Sequence, residues 1–177
     1  TPLVLGLGLL SKVSALSFWP IVGLGLLLGS ARQLDDTPAS WQQHLQLNLT
    51  APFLMSQAFA NALRSASKGK IINMLDWRSL RPGADHFAYT VSKAALASMT
   101  KSLALSLAPL IAVNAVALGA ILPPENESQD TKILGKVPLK RWAHLDELQN
   151  VIIYLLQFPA SLTGQVIHLD GGRHLIH

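Results

Sequence analysis

The sequence predicts an α/β fold, an open parallel sheet wrapped by helices. Three observations lead there. Short apolar runs alternate along the chain with longer stretches whose apolar residues recur every three or four positions. The short runs are continuous rather than alternating, as strands covered on both faces are. Half of the 177 residues are hydrophobic and only 14% are charged, against roughly 25% in typical soluble domains, so one domain with a sizeable core is expected.

Thr1 to Leu28 contains one charge, Lys12, and two similar Leu/Gly blocks, Leu3 to Leu10 and Ile21 to Leu28. A membrane span wants about 20 uninterrupted apolar residues, and Lys12, Ser14, Ser17 and Pro20 break this stretch. A secretory leader wants a basic start and a small-residue cleavage site, and neither is clear. The two blocks are therefore expected to be short buried strands. Asp36, Thr37 and Ser40 offer cap chemistry for a helix from about Trp41 to Leu63, with Leu45, Leu49, Phe53, Ala58 and Leu63 at helical spacing. Lys68-Gly69-Lys70 reads as a turn and Ile71 to Leu75 as a central strand. A loop with Arg81-Pro82-Gly83 leads to a second helix, Phe87 to Leu107, stopped by Pro109. Ile111 to Ala117 reads as a buried strand. The polar segment Pro123 to Lys136 is long enough to be a lid. Leu145 to Gln157 is a third helix, and Gln165 to Leu169 a last strand before Asp170-Gly171-Gly172.

The composition excludes several classes. Without cysteine there is no disulfide framework, thiolate zinc site or cysteine nucleophile. A net charge of +4 is spread along the chain without a dense run, which gives nucleic-acid binding little support. His44, His86, His144, His168, His174 and His177 show no paired metal-ligand spacing with carboxylates, so no metal site is expected. Trp19, Trp41, Trp77 and Trp142 read as packing residues, with Trp77 close enough to Asp76 to border a pocket.

Ligands of such sheets bind beyond the strand C-termini, which points to the residues just after Leu75 and Ala117. Tyr89 and Lys93 lie one helical turn apart near the start of the second helix. Such pairs are common on ordinary helices, but a nearby ammonium favours a phenolate and would bring the phenol toward the working range of an acid or base. Asp76 ends the first confident strand, thirteen residues before Tyr89. Asn48 sits within an apolar helix face and needs partners there.

From about Trp41 to Leu175 the chain resembles a short-chain dehydrogenase/reductase. The resemblance rests on Asn48 in Leu47-Asn48-Leu49, Gly69-Lys70-Ile71-Ile72-Asn73-Met74, Tyr89-Thr90-Val91-Ser92-Lys93-Ala94-Ala95, Val113-Asn114-Ala115-Val116, and Thr163-Gly164-Gln165 with Asp170-Gly171-Gly172, in this order and spacing. It implies a Rossmann-like three-layer sandwich forming a single domain over 1–177, with atypical apolar strands over 1–34 and a catalytic part over 35–177. The family's catalytic tetrad of Asn, Ser, Tyr and Lys would fall on Asn48, Tyr89 and Lys93, with Asp76 where most members carry Ser. Pteridine reductases are similar in having Asp there, in the run Ile72-Asn73-Met74-Leu75-Asp76, and in Gly119-Ala120-Ile121-Leu122.

The resemblance implies hydride transfer from NADPH to a dihydropterin or dihydrofolate. Tyr89, Lys93 and the backbone of Gly119, Ala120 and Ile121 would face the cofactor, and Asp76, Trp77, Tyr89 and Leu122 the substrate. Asn48 would position a water linking Lys93 to solvent. It also implies a cytoplasmic homotetramer with no membrane or nucleic-acid partner. A carbonyl or 3-oxoacyl reductase, or a scaffold without catalysis, are the alternatives. One expected feature is missing: Gly6-x-Gly8 and Gly23-x-Gly25 lack a third glycine and a following helix. At roughly 30 residues per βαβ unit, the 47 residues before Asn48 are too few for the usual cofactor half, so the N-terminal part is expected to be truncated or atypical.

Overall fold

Thr37 opens the first helix in the computed structural model, which describes residues 36–63, 68–81, 83, 85–121, 132–157 and 161–176. The chain divides into two units, Thr1–Leu34 and Asp35–His177, and the described residues all belong to the second. The strands expected within Thr1 to Leu28, and Leu122, lie outside the described residues.

The Thr37 side chain accepts from the Ser40 N–H at 3.1 Å, and Pro38 sits in the first turn of α1 (Pro38–Leu45), where its missing N–H costs nothing. A π-helical segment, Gln46–Thr50, joins α1 to α2 (Ala51–Ala62) without a break. Its cause is Pro52. A proline inside a helix cannot donate to the carbonyl four residues back, and its ring crowds that carbonyl. Here that group belongs to Asn48, and the helix widens around it, with Ala51 N–H donating to Gln46 O.

Strands β1 (Gly69–Asp76), β2 (Ile111–Leu118) and β3 (Val166–Leu169) form a parallel sheet in the order β1-β2-β3. Helix α3 (Phe87–Ser106) connects the first two and α4 (Leu145–Gln157) precedes the third. The expected α/β alternation is therefore present. Asp76 pairs with Leu118, and Leu118 with Leu169, so all three strands end at one level. The expected turn at Lys68-Gly69-Lys70 is corrected: Gly69 and Lys70 are already paired in β1, opposite Ile111 and Ala112. A Cβ there would come within 2.7 Å of the Phe59 ring from α2, which would have to shift to admit it.

Small residues let α3 approach the sheet closely. Leu96 and Ala97 pack on Leu75, Ala115 and Ala117, and Ala104 packs on Ile111 and Val113. Polar pairs lock the same interface: Asn73 of β1 donates to Thr100 of α3 at 2.9 Å, with both side chains buried. Asn114 of β2 donates to Leu162 O and accepts from Gln165 N–H, while Thr163 accepts from Val113 N–H, which seats the entry to β3. Two of the sequence fragments that carry the resemblance are thus two halves of one contact. No described helix is long and apolar enough to cross a membrane.

Beyond β2, Gly119 lies against the turn after β3. A Cβ on it would stand 2.5 Å from Asp170 Cα and 2.6 Å from Asp170 Cβ. Since overpacking a filled site costs about 1–3 kcal/mol, Gly119→Ala is expected to lower stability by about 2 kcal/mol or more in urea denaturation.

Candidate active site

The common C-terminal edge of the strands gathers the chemistry. The Asp76 carboxylate accepts from Arg78 N–H at 2.8 Å and the Asp76 N–H donates to Ser79 Oγ at 3.0 Å, a reciprocal cap on the short 3-10 turn Trp77–Leu80. That cap holds the carboxylate at the strand end. Facing it is the first turn of α3, whose own cap residue His86 is left-handed and makes no side-chain cap bond. Asp36, from before α1, supplies the cap by accepting from Ala88 N–H at 2.7 Å. Asp36 also accepts from Ser40 Oγ at 2.8 Å, so it serves the start of its own helix as expected and, through a partner 52 residues along the chain, that of α3 as well.

Tyr89 and Lys93 project from that anchored turn. Tyr89 is half-buried, with His44 edge-on to its ring at 5.8 Å. Burial, then the charge and hydrogen bond of Asp76, push its phenol up to about 12. Lys93 Nζ donates to Met74 O at 2.9 Å and stands 5.9 Å from the Tyr89 ring centroid. Burial lowers the Lys93 pKa, against an opposing pull from Asp76. The expectation that this ammonium draws the phenol downward is therefore not met in the structure: desolvation and the adjoining carboxylate win. An ammonium has three donors, and Met74 takes one.

Asn48 has the partner its burial demands. Its Nδ2 donates to Ser92 Oγ at 3.0 Å, and Ser92 Oγ donates to Tyr89 O at 2.7 Å. The sequence assigns Ser92 no role of its own, although it lies inside the Tyr89–Lys93 fragment. The loop after β2 is also held: Gly119 N–H donates to Leu169 O and Ala120 O accepts from Ala143 N–H. Ile121 follows at the same edge, half-buried.

Trp77, which the sequence sets beside a pocket, lies among cations. Arg173, Arg78 and Arg81 stand over its indole at 4.2, 4.9 and 5.8 Å, beside a cavity of about 460 Å³. The histidines also need correction, because His168, Asp170 and His174 do come together, with candidate ligand atoms within 4.8 Å of one another. They do not converge as ligands. The two imidazoles are stacked at 3.9 Å and 21°, so lone pairs lying in the ring planes run side by side. Asp170 Oδ2 is already bonded to His174 N and lies 2.8 Å from His174 Nδ1.

Residues 21–174 match the family model described as enoyl-(acyl carrier protein) reductase. Protein FixR of Bradyrhizobium diazoefficiens is 40% identical over 150 residues, 80% of this chain and 52% of that protein. Dihydromonapterin reductase of Citrobacter koseri is 36% identical over 135 residues, 74% of this chain and 56% of the relative. Among solved structures, FolM alternative dihydrofolate reductase 1 from Brucella canis, complexed with NADP, superposes with a TM-score of 0.74 at 35% identity, over 84% of this chain and 62% of that one. The chain spans about half the length of the curated relatives it matches.

The Tyr89 environment makes a titration prediction. An unfolded tyrosine ionises near 10, whereas Tyr89 in the fold ionises at about 12. The native state holds the extra proton in between, so stability contributed by this group is complete below pH 10 and declines as pH rises toward 12. Tyrosinate absorbance, taken as the difference from Tyr89→Phe, should show that late ionisation, and Asp76→Asn should bring it back toward 10.

Proposed function

This chain belongs to the short-chain dehydrogenase/reductase family, and on that footing we propose that it is an NADPH-dependent reductase of dihydropterins or dihydrofolates. The observation that carries the reading is the Asp76 carboxylate set against a phenol that keeps its proton. A carbonyl reduction builds negative charge on oxygen, which wants a neutral or cationic donor beside it. A carboxylate at that place repels such a charge. It suits instead a ring that presents N–H and amino donors, as a pterin does. Tyr89 carries its proton at neutral pH, as an ordinary phenol does, and is placed to give it to a ring nitrogen during reduction of a C=N bond; the rise to about 12 makes it a weaker donor than a free phenol.

The donor set at the strand ends fits the nicotinamide half of the cofactor. Lys93 has two N–H groups beyond the one given to Met74 and would hold ribose hydroxyls together with Tyr89. The backbone of Gly119, Ala120 and Ile121 would face the carboxamide. Gly119 N–H and Ala120 O already bond within the fold, so Ile121 is the residue whose backbone takes the larger part. When bound, the reduced nicotinamide supplies the hydride. Asp76 orients the substrate ring, Tyr89 delivers the proton, and Asn48 acts through Ser92 to hold the Tyr89 backbone and, through its carbonyl, to place a water near Lys93. The apolar side chains exposed on the first helical run, Leu47, Leu54 and Met55, support assembly into the expected homotetramer.

The test is NADPH-dependent turnover by the full chain on dihydrobiopterin and on a β-keto ester. Pterin turnover is expected, and Tyr89→Phe should lower kcat by about 100-fold or more with the melting temperature unchanged. Asp76→Ser should lose pterin turnover. Activity on the ketone alone would defeat the pterin assignment, and no NADPH binding up to millimolar concentration would favour a scaffold.

A further inference from the structure

Trp77 begins the chain beyond Asp76 and gathers three guanidiniums around one indole: Arg173 at 4.2 Å, Arg78 at 4.9 Å and Arg81 at 5.8 Å. Like charges held together near a protein surface repel. The repulsion registers on Arg173, whose pKa is lowered by burial first and by Arg78 next. Cation–π attraction to the indole offsets part of this cost but neutralises no charge.

Asp76 and Asp170 act on Arg173 from outside the cavity wall. Asp85 pairs with Arg78 through both carboxylate oxygens. It is the only acidic residue among the described residues lining the 460 Å³ cavity, whose wall also carries Arg81, Lys136 and Arg173. Arg81 commits one N–H to Arg173 O at 3.5 Å, and a guanidinium offers five in a planar fork suited to carboxylate or phosphate. The structure thus holds an excess of fixed positive charge around an open cavity of ligand size, one residue along the chain from Asp76.

We infer that this cavity receives the carboxylate-bearing tail of the substrate, Arg81 and Arg173 gripping its oxyanions with Lys136 at the rim, so that the substrate is a tailed, folate-type pterin rather than an unconjugated one. The assignment of the tail rests on the pterin reading proposed above. Trp77, next to Asp76 in the chain, lines the cavity together with Arg81 and Arg173, so the substituent of a ring held at Asp76 would reach the arginines past the indole. Phosphate esters share the oxyanion chemistry, so the test separates the two sources.

The full chain is titrated calorimetrically with p-aminobenzoyl-glutamate, p-aminobenzoate, inorganic pyrophosphate and dihydrobiopterin. The aminobenzoyl-glutamate should bind at least about tenfold more tightly than p-aminobenzoate and weaken as ionic strength rises. Arg81→Gln and Arg173→Gln should each weaken it about tenfold or more, whereas Arg141→Gln, an exposed arginine outside the cavity, should leave it unchanged. Thermal melts show which variants remain folded; if Arg173→Gln does not, Arg81→Gln and Arg173→Lys decide. Equal affinity for the two aminobenzoyl compounds, or indifference to both arginine changes, overturns the inference. Pyrophosphate binding more tightly and in competition overturns it in favour of a phosphate ligand. Dihydrobiopterin, which lacks the tail, should bind without responding to either arginine change, and glutamate-dependent binding with no NADPH-dependent turnover of dihydrofolate keeps the anion site and removes the pterin reading instead.

Discussion

The seating of helix α3 across β1 and β2 is the constraint on which the site depends. Small side chains, Ala97 against Ala115 and Ala117 and Ala104 against Val113, let the helix lie close. Close packing alone would tolerate a slide along the sheet. The buried bond from Asn73 to Thr100 does not, because leaving either group unpaired costs about 1–3 kcal/mol. Asn48 with Ser92 repeats the argument two turns earlier along the helix. With its register set in this way, α3 delivers Tyr89 and Lys93 to the level where all three strands stop. The π segment belongs to the same device, since Pro52 widens the helix at the residue that must reach Ser92.

The electrostatics follow from that placement. Tyr89 and Lys93 share a half-buried setting, and burial acts oppositely on them: it raises the phenol and lowers the ammonium, in each case disfavouring the charged form. Asp76 favours the proton on both. The edge therefore presents a protonated phenol beside a carboxylate. One residue further on, the sign of the surface reverses at Trp77 and its arginines. A substrate with donors at one end and carboxylates at the other would find complementary charge along its whole length.

Elements whose signals are local are legible in the sequence. The helix Leu145–Gln157 and the start of the strand at Ile111 coincide with their expected positions, because an unbroken apolar period needs no distant partner to be seen. The positions that the sequence misleads about share a different character. Gly69 has the flanks of a turn glycine, and only its pairing with Ile111, from a distant strand, shows that it belongs to β1. Asp36 bonds Ser40 of its own helix, as its position suggests, but its second bond, which caps α3, has no signal in the sequence. His168 and His174 flank Asp170 by two and four residues, a local spacing, but it is the turn after β3 that brings the three together.

Order along the chain is enough to fix the parallel α/β plan, the succession of strands and helices, and the identity of the polar residues at the strand ends, since periodicity, caps and breakers act within a few residues of one another. The proton affinity of Tyr89, the pairing of Asn48 with Ser92 and the gathering of three arginines about Trp77 arise only once the chain is folded. Desolvation and Coulomb interaction depend on what surrounds a group in space, and here those surroundings are assembled from segments as far apart as Trp77 and Arg173.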